Sequence, residues 1–193
     1  IRNSICYPKL NVKIALTHAG ISVGEDGGSH QSIEDIALMR VIPNMTVLSP
    51  ADAIETEKMM DAAMAIDGPV YFRLGRSHVP VLFDNDYKFE VGKAGLLQNG
   101  SDVTLIATGL MVGPALEAAE LLKADGISAR VLNMGSIKPI DVAAISDAAI
   151  NTGAIVTAEE HSIIGGLGSA VAEVLCDVAP VPLERVGVKD LFG

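Results

Sequence analysis

The chain contains no tryptophan, and aromatic residues make up only 4% of its 193 positions. Aliphatic side chains, alanine and methionine must therefore fill the interior, because hydrophobic residues still account for 49% of the chain. The only two cysteines, Cys6 and Cys176, lie far apart in sequence and in apolar surroundings. This usage excludes a disulfide framework and is typical of a reducing compartment, so we expect a cytoplasmic location.

Positive charge is also scarce, since 14 lysines and arginines stand against 24 aspartates and glutamates, for a formal net charge of -10. Such an acidic chain is a poor candidate for sequence-independent binding to nucleic acid or to an anionic membrane. No apolar run is long enough to span a membrane, and no signal or transit peptide is recognisable. Because the chain opens at Ile1 in the middle of a pattern, we expect it to be part of a longer polypeptide.

Aliphatic runs alternate with helical periodicity along the chain, which predicts an α/β fold with parallel or mostly parallel sheets. The pattern lapses at 81–92, which we assign as a linker between two α/β units at 1–80 and 93–193. Ser32, with Asp35 three residues on, predicts the start of the first helix. The expected strands are 12–17, 45–49, 69–72, 93–97, 103–108, 128–133, 154–158 and 182–186, and the expected helices are 33–41, 52–64, 109–123, 140–150 and 167–178.

A polar, glycine-rich loop lies between the first strand and the first helix, where open α/β sheets usually bind ligands. It holds His18 and His30, two of only four histidines, together with Glu25 and Asp26. Imidazole can donate or accept a proton near neutral pH, and glycine lets the backbone approach a ligand closely. A surface loop that only satisfies its own backbone is the alternative, but the density of polar types at this junction favours a ligand site.

Two arginines, Arg73 and Arg76, close the third predicted strand and carry permanent positive charge. The planar guanidinium binds phosphate through paired hydrogen bonds, so with His18 they could form an anion pocket in an otherwise acidic chain. Surface ion pairs explain the two arginines equally well, and the residues alone leave both explanations open.

The stretch GEDGGSHQ, with His18 before it and IEDIALMR after it, closely resembles the loop of transketolases written H-x-x-x-x-x-G-E-D-G-P-[ST]-[HQ]-Q. The similarity continues through IPNMTVLSPAD, GPVYFRLGR and TAEEHSIIGGLGSAVAEVL, and therefore covers nearly the whole chain. Gly28 stands where the family has proline, which removes no functional group. The opening IRNSICYPKLNVKI resembles the C-terminal subunit of two-chain, or split, transketolases.

The resemblance implies a partial pyrimidine-binding domain followed by a transketolase C-terminal domain, and it assigns roles to five side chains. His18 and Arg76 are expected to hold the sugar phosphate, with Arg73 as a further candidate. Asp26 is expected to contact the substrate hydroxyl next to the carbonyl. His30 is expected to lie near the reactive carbon and to donate a hydrogen bond or move a proton. All five would bind substrate, and the two histidines would be catalytic.

The resemblance also implies thiamine diphosphate and Mg²⁺ as cofactors. The GDG…N motif that binds the diphosphate and the metal in such enzymes is missing from this chain, and we assign no cofactor or metal ligands to it. We therefore expect a partner, the diphosphate-binding N-terminal half, and an oligomer such as a dimer or heterotetramer. Alone, the chain should be inactive. The complete enzyme would move a two-carbon ketol unit from a ketose phosphate to an aldose phosphate.

Three alternatives remain open at this point. Two are enzymes, a 1-deoxyxylulose-5-phosphate synthase or a 2-oxoacid dehydrogenase β subunit, and the third is a non-catalytic assembly subunit. Glu25-Asp26 and the absence of a VRYPRG-type strand end after Phe72 favour transketolase over the other enzymes. The intact set of predicted site residues argues against a subunit that has lost activity.

In the second unit, Glu159, Glu160 and His161 precede a glycine-rich turn at 165–168. An anion could bind at the start of the following helix, but the acids oppose phosphate and no lysine follows as in a P-loop. A tight turn is the favoured interpretation, and His161 is given no catalytic role.

Overall fold

Nine strands and five α-helices make up the computed structural model, which describes residues 1–193. The strands are β1 (Lys13–Leu16), β2 (Thr46–Leu48), β3 (Val70–Arg73), β4 (Gly95–Gln98), β5 (Val103–Ala107), β6 (Ala129–Asn133), β7 (Ser136–Lys138), β8 (Ile155–Ser162) and β9 (Leu183–Val188). The helices are α1 (Asp35–Arg40), α2 (Ala53–Ala65), α3 (Val112–Ala124), α4 (Val142–Thr152) and α5 (Leu167–Val178). A π-helical turn spans Arg2–Cys6, and 3-10 turns span Ile21–Asp26 and Gly109–Met111. No helix is both long enough and apolar enough to cross a bilayer.

The strands form two separate sheets, as the sequence predicts. The first has the order β1-β3-β2-β7, with β1, β3 and β2 parallel and β7 antiparallel. The second has the order β4-β6-β5-β8-β9, in which only β4 runs antiparallel. The expected α/β class with mostly parallel sheets is therefore confirmed, and the carboxyl ends of β1, β3 and β2 share one edge.

The strand β7 is absent from the sequence prediction, and it belongs to the second half of the chain although it pairs with β2 of the first sheet. The ammonium group of Lys138 at its end donates to the carbonyl oxygens of Arg40 (2.8 Å) and Ile42 (2.6 Å). These carbonyls lie at the end of α1, where helical backbone oxygens lack partners. Lys138 therefore anchors the second half of the chain on the first.

Small and aliphatic residues fill the core, as the scarcity of aromatic residues requires. Helices cover both faces of each sheet, because α1 and α2 pack on opposite faces of the first and α3 packs opposite α4 and α5 on the second. The fully buried large side chains are mostly Ile, Leu and Met, and Phe72 is the one aromatic residue among them.

The prediction that Ser32 caps α1 is wrong, because the helix begins at Asp35 and Glu34 stands at the cap without a side-chain hydrogen bond. The backbone of Ser32 is instead engaged in an isolated parallel bridge with Ala19, and its carbonyl accepts from the Gly20 N–H at 2.8 Å. This pairing keeps the chain extended up to the helix. By contrast, Asp52 caps α2 as predicted, accepting the Glu55 N–H at 2.7 Å.

A buried carboxyl on α2 also joins the two halves. Glu55 is fully buried and accepts from the Tyr87 hydroxyl (2.8 Å), the Asn133 side-chain amide (2.6 Å) and the Ala51 N–H (2.7 Å). Burial raises the pKa of Glu55 above its ordinary value, against the effect of these donors. Because Tyr87 belongs to the irregular stretch before β4 and Asn133 ends β6, one side chain fixes three parts of the chain.

Candidate active site

Two segments meet at the carboxyl edge of the first sheet, the β1–α1 loop (residues 17–34) and the β3 exit segment (residues 74–78). The Ala19 N–H donates to the Leu74 carbonyl at 3.1 Å, and the Leu74 N–H donates to Leu16 at 2.9 Å. Since Ala19 also bridges Ser32, both ends of the loop lie beside the exit segment. The sequence pattern places the polar residues there because parallel strands end at the same edge.

The two predicted histidines lie close to this bridge and are both exposed. His18 immediately precedes Ala19, and His30 lies two residues before Ser32. Nδ1 of His18 is 2.9 Å from Thr17 Oγ1, and Nδ1 of His30 is 2.9 Å from Ser29 Oγ. These contacts leave Nε2 of each ring free of partners in this chain, so each ring can present that nitrogen to a ligand. His18 has a φ of +69°, an unfavourable backbone conformation for a non-glycine residue that is found at functional sites.

Arg76 contacts the acidic part of the loop directly. Its Nη1 lies 3.4 Å from Asp26 Oδ2 and its Nη2 lies 3.5 Å from Glu25 Oε1, and Nη1 also donates to the Val23 carbonyl. The arginine side chain is 37% exposed and Asp26 is 43% exposed. These long, solvent-accessible ion pairs are weak, so the guanidinium can exchange a carboxylate for another anion. Arg76 and Asp26, which the sequence singled out separately, are therefore in contact.

Arg73 occupies a different environment, and the structure gives it an internal function. Its Nε donates to Asp35 Oδ2 at 2.8 Å, and its Nη2 donates to the Glu160 carbonyl at 2.9 Å. The residue is 6% exposed. A buried guanidinium that is already paired cannot turn to a substrate without leaving Asp35 uncompensated. Arg76 is thus the accessible cation of the two.

A cavity of about 440 Å³ lies behind the exit segment, between the two halves of the chain. Its lining includes Ser77 and His78 on one side and Ser49 and Gly109 on the other. Arg73 is the only predicted site residue in this lining, and His18, His30, Asp26 and Arg76 do not line the cavity. We place the candidate site at the open edge instead, because that is where the unpartnered polar atoms are.

The glycine-rich turn of the second unit is a structural turn, in agreement with the favoured interpretation. Glu159 accepts the N–H groups of Leu167 (2.6 Å) and Gly168 (2.8 Å), which are the first free donors of α5. Because the carboxyl group of Glu159 occupies the N–H groups at the start of this helix, no anion can bind there. Burial raises the pKa of Glu159 to about 7, although the two N–H donors lower it.

His161 is fully buried beside Glu159 and plays a structural part. Its Nε2 accepts the Ala37 N–H at 3.3 Å, and its Nδ1 lies 2.7 Å from the Ser162 carbonyl. This geometry places the proton on Nδ1, and burial lowers the pKa of the ring. The sequence prediction ended the strand at 158, but β8 continues through Ser162 and carries Glu159, Glu160 and His161 into the interior.

Sequence reasoning missed several residues that contact the loop. Ser77 donates from Oγ to the Ser22 carbonyl at 3.1 Å, and Glu160 accepts the Ser22 N–H. The position of Ser77 next to Arg76 in the sequence could have identified it as a residue near the site. The burial of Glu160 had no such signal, because an acidic pair after a strand normally predicts an exposed turn.

The chain alone does not fit a metal–diphosphate group. No group of three or more His, Cys, Asp or Glu side chains is arranged to hold a metal ion. The candidate site offers one accessible arginine, flanked by carboxylates, which suits a single anionic group on a substrate better than a diphosphate with its cation.

The sequence matches two family descriptions, and these agree with the fold. Residues 1–81 match "Transketolase, pyrimidine binding domain", and residues 92–193 match "Transketolase, C-terminal domain". A protein of Methanocaldococcus jannaschii described as a transketolase C-terminal section is 50% identical over 196 residues, covering 100% of this chain and 61% of that protein. The 6-deoxy-6-sulfo-D-fructose transketolase subunit of Clostridium sp. is 49% identical, covering 98% of this chain and 59% of that protein.

A solved structure, a split-gene transketolase described as an inactive β4 tetramer, superposes with a TM-score of 0.95 at 60% identity. The match covers 100% of this chain and 62% of the solved chain. The chain thus spans about three-fifths of the length of each of these relatives. Together with the fold and the family matches, these similarities show that the chain belongs to the transketolase family.

Proposed function

We propose that the chain supplies the substrate-binding edge of a thiamine diphosphate-dependent transketolase, which moves a two-carbon ketol unit from a ketose phosphate to an aldose phosphate. One observation carries the proposal. In a chain of this family, the accessible Arg76 lies against Asp26, which belongs to the same β1–α1 loop as His18 and His30. A cation, a carboxylate and two imidazoles are the groups needed to hold a phosphorylated hydroxyketone.

Arg76 would bind the phosphate of the sugar. Its carboxylate partners are held in long ion pairs at 3.4 and 3.5 Å, and a phosphate dianion would compete well for the same N–H groups. His18, next to the Ala19–Ser32 bridge, would donate from Nε2 to the same phosphate. Asp26 remains available to accept a hydrogen bond from a sugar hydroxyl, which fixes the orientation of the carbon chain.

His30 would act at the carbonyl end of the substrate. With Nδ1 at Ser29, its Nε2 is free to donate to the carbonyl oxygen as negative charge develops there and to take the proton back when the carbonyl re-forms. Thiamine diphosphate, when bound, supplies the carbanion that accepts the ketol unit. The residues of this chain would bind the sugar, orient it and move protons at its oxygen atoms.

The diphosphate and Mg²⁺ would be held by a partner, the N-terminal half of the enzyme, within an oligomer such as a dimer or heterotetramer. The lack of a metal-binding cluster in this chain supports that division. The description of the split-gene neighbour as an inactive β4 tetramer also supports it, because that assembly is named for one type of chain. The chain alone is therefore expected to be inactive.

A second candidate substrate class is a sulfonated sugar. The Clostridium relative is named for 6-deoxy-6-sulfo-D-fructose, and a sulfonate would present three oxygens to Arg76 much as a phosphate does. The charge differs, since a phosphate monoester is close to a dianion at neutral pH and a sulfonate is a monoanion. Arg76 can bind either anionic group, so a phosphorylated and a sulfonated donor sugar are to be compared in the same assay.

The experiment is reconstitution. The full-length chain is mixed with its N-terminal half, thiamine diphosphate and Mg²⁺, and ketol transfer from xylulose 5-phosphate to ribose 5-phosphate is followed, with the sulfonated donor in parallel. The proposal predicts transfer by the mixture and none by either half. A correctly assembled complex that transfers no ketol unit would favour a non-catalytic subunit. In a parallel reaction with pyruvate and an aldose phosphate, formation of a 1-deoxy ketose phosphate with release of CO2 would instead identify the synthase.

A further inference from the structure

A residue of the second unit reaches into the β1–α1 loop. Glu160 lies on β8 of the second sheet and is only 5% exposed, and its Oε1 accepts the N–H of Ser22. Gly20 packs on the same carboxylate, so closely that a Cβ at this position would overlap Glu160 Cδ. With a φ of +91°, Gly20 also needs the freedom of glycine. The Gly20–Ser22 part of the loop therefore packs against this one acidic side chain.

The exit segment holds the same short stretch from the opposite side. Ser77 Oγ donates to the Ser22 carbonyl at 3.1 Å, and Arg76 Nη1 donates to the carbonyl of the next residue, Val23. The same Arg76 nitrogen lies 3.4 Å from Asp26. Glu160, Ser77 and Arg76 thus hold three consecutive peptide units, from Ile21–Ser22 to Val23–Gly24, so movement of the unit that Glu160 holds displaces the unit that Arg76 holds.

We propose that Glu160 is a positioning residue for substrate binding, which fixes the Ser22–Val23 backbone and through it the geometry of Arg76 and Asp26. The proposal rests on the proposed function for the identity of the substrate, a sugar with an anionic group. It gives the C-terminal unit a direct part in the affinity of the site.

The other oxygen of Glu160 supports a positioning role over a purely stabilising one. Oε2 is buried and has no hydrogen-bond partner, and the hydroxyl of Ser22 is likewise buried without one. A buried carboxylate oxygen without a donor destabilises the folded chain. A chain optimised only for stability would pair or replace this group, whereas a group that holds a loop in place can carry such a cost.

The test uses Glu160→Ala in the full chain assembled with its N-terminal half. The KM for the sugar phosphate should rise about tenfold, the amount expected for a lost hydrogen bond to a charged group, while kcat changes less than about threefold. Glu160→Gln keeps an acceptor oxygen for the Ser22 N–H and should restore KM to near the wild-type value. Glu173→Ala is the matched control, because Glu173 also joins the two units, through Arg40 at 2.5 Å, but away from the loop. Its KM should not change.

Amide hydrogen exchange of Ser22 gives a readout that needs no catalysis. Exchange in the full chain should become at least roughly tenfold faster in Glu160→Ala and remain unchanged in Glu173→Ala. If the alanine variant does not fold, Glu160→Asp withdraws the carboxylate by one methylene and should give the same pattern. Unchanged Ser22 exchange would overturn the proposal, as would faster exchange with an unaltered KM. If the assembled wild-type complex transfers no ketol unit while Ser22 exchanges faster in Glu160→Ala, the proposed function is rejected. The contact between Glu160 and the loop is then still supported.

Discussion

Arg73 Nε lies 2.8 Å from Asp35 Oδ2, and both side chains are more than nine-tenths buried. The hydroxyl of Tyr71 donates to the same carboxylate oxygen at 2.8 Å, and burial together with the charge of Asp35 raises the pKa of Tyr71 above its ordinary value. This cluster joins the end of β3 to the start of α1. It therefore sets the relative position of the two segments that carry Arg76 and the histidines.

Removing the guanidinium of Arg73 should destabilise the chain strongly. Arg73→Ala leaves Asp35 buried without its counter-ion, and such a change costs about 3–5 kcal/mol in the free energy of unfolding. Arg76→Ala serves as the control, since its exposed ion pairs contribute at most about 1 kcal/mol. Urea unfolding followed by circular dichroism measures both. Equal, small losses in the two variants would show that the buried pair does not hold the fold.

Arg76→Ala should weaken the binding of phosphorylated substrates in the reconstituted enzyme. The loss of a charge-assisted contact to phosphate is expected to raise KM by roughly 10- to 100-fold. An unphosphorylated ketose donor is the internal control, because its KM should change little. If both donors lose affinity equally, Arg76 supports the loop and does not bind phosphate.

The pKa of Glu159 predicts a specific pH dependence of stability. Burial raises this pKa from 4.5 to about 7, so the folded chain favours the protonated carboxyl. The stabilisation that protonated Glu159 gives is complete below the pKa of this group in the unfolded chain. It is lost as the pH rises through the pKa of the group in the folded chain. The unfolding free energy of the wild type minus that of Glu159→Gln should therefore fall by about 2–3 kcal/mol from about pH 5 to about pH 8.

Glu184→Gln is the matched control for this measurement, because Glu184 is an exposed glutamate on the neighbouring strand β9. Its difference from wild type should stay constant over the same pH range. A constant difference for Glu159→Gln as well would mean that the two N–H donors of α5 keep the carboxylate ionised despite its burial.

Elements with strong periodicity were predictable from the sequence alone. The helix at 167–178 is found at the predicted residues, and the Asp52 cap of α2 is observed. In these segments the local pattern and the tertiary structure agree. The strand β7 could not be predicted, because it is short, is flanked by glycine and proline, and depends on pairing with the distant β2.

The candidate site was predictable in composition but not in contacts. The sequence placed the polar loop at a strand end, yet the residues alone did not distinguish Arg73 from Arg76, and only the family resemblance favoured Arg76. Position on the strand separates them, since Arg73 is the last residue of β3 and lies inside, whereas Arg76 follows in the exit segment. Glu160 was missed because its burial depends on the second unit packing against the loop, a relationship that local pattern does not encode.

The most direct test of the account is the turnover of a complex assembled with His30→Ala. If His30 donates to the substrate carbonyl and moves its proton, kcat should fall by about 10²–10⁴-fold, while the affinity of this chain for its N-terminal half stays at the wild-type value. Analytical ultracentrifugation measures the affinity and steady-state ketol transfer measures kcat, on the same preparation. Parallel losses of assembly and turnover, or a variant as fast as wild type, would contradict the assignment of this edge of the sheet as the catalytic site.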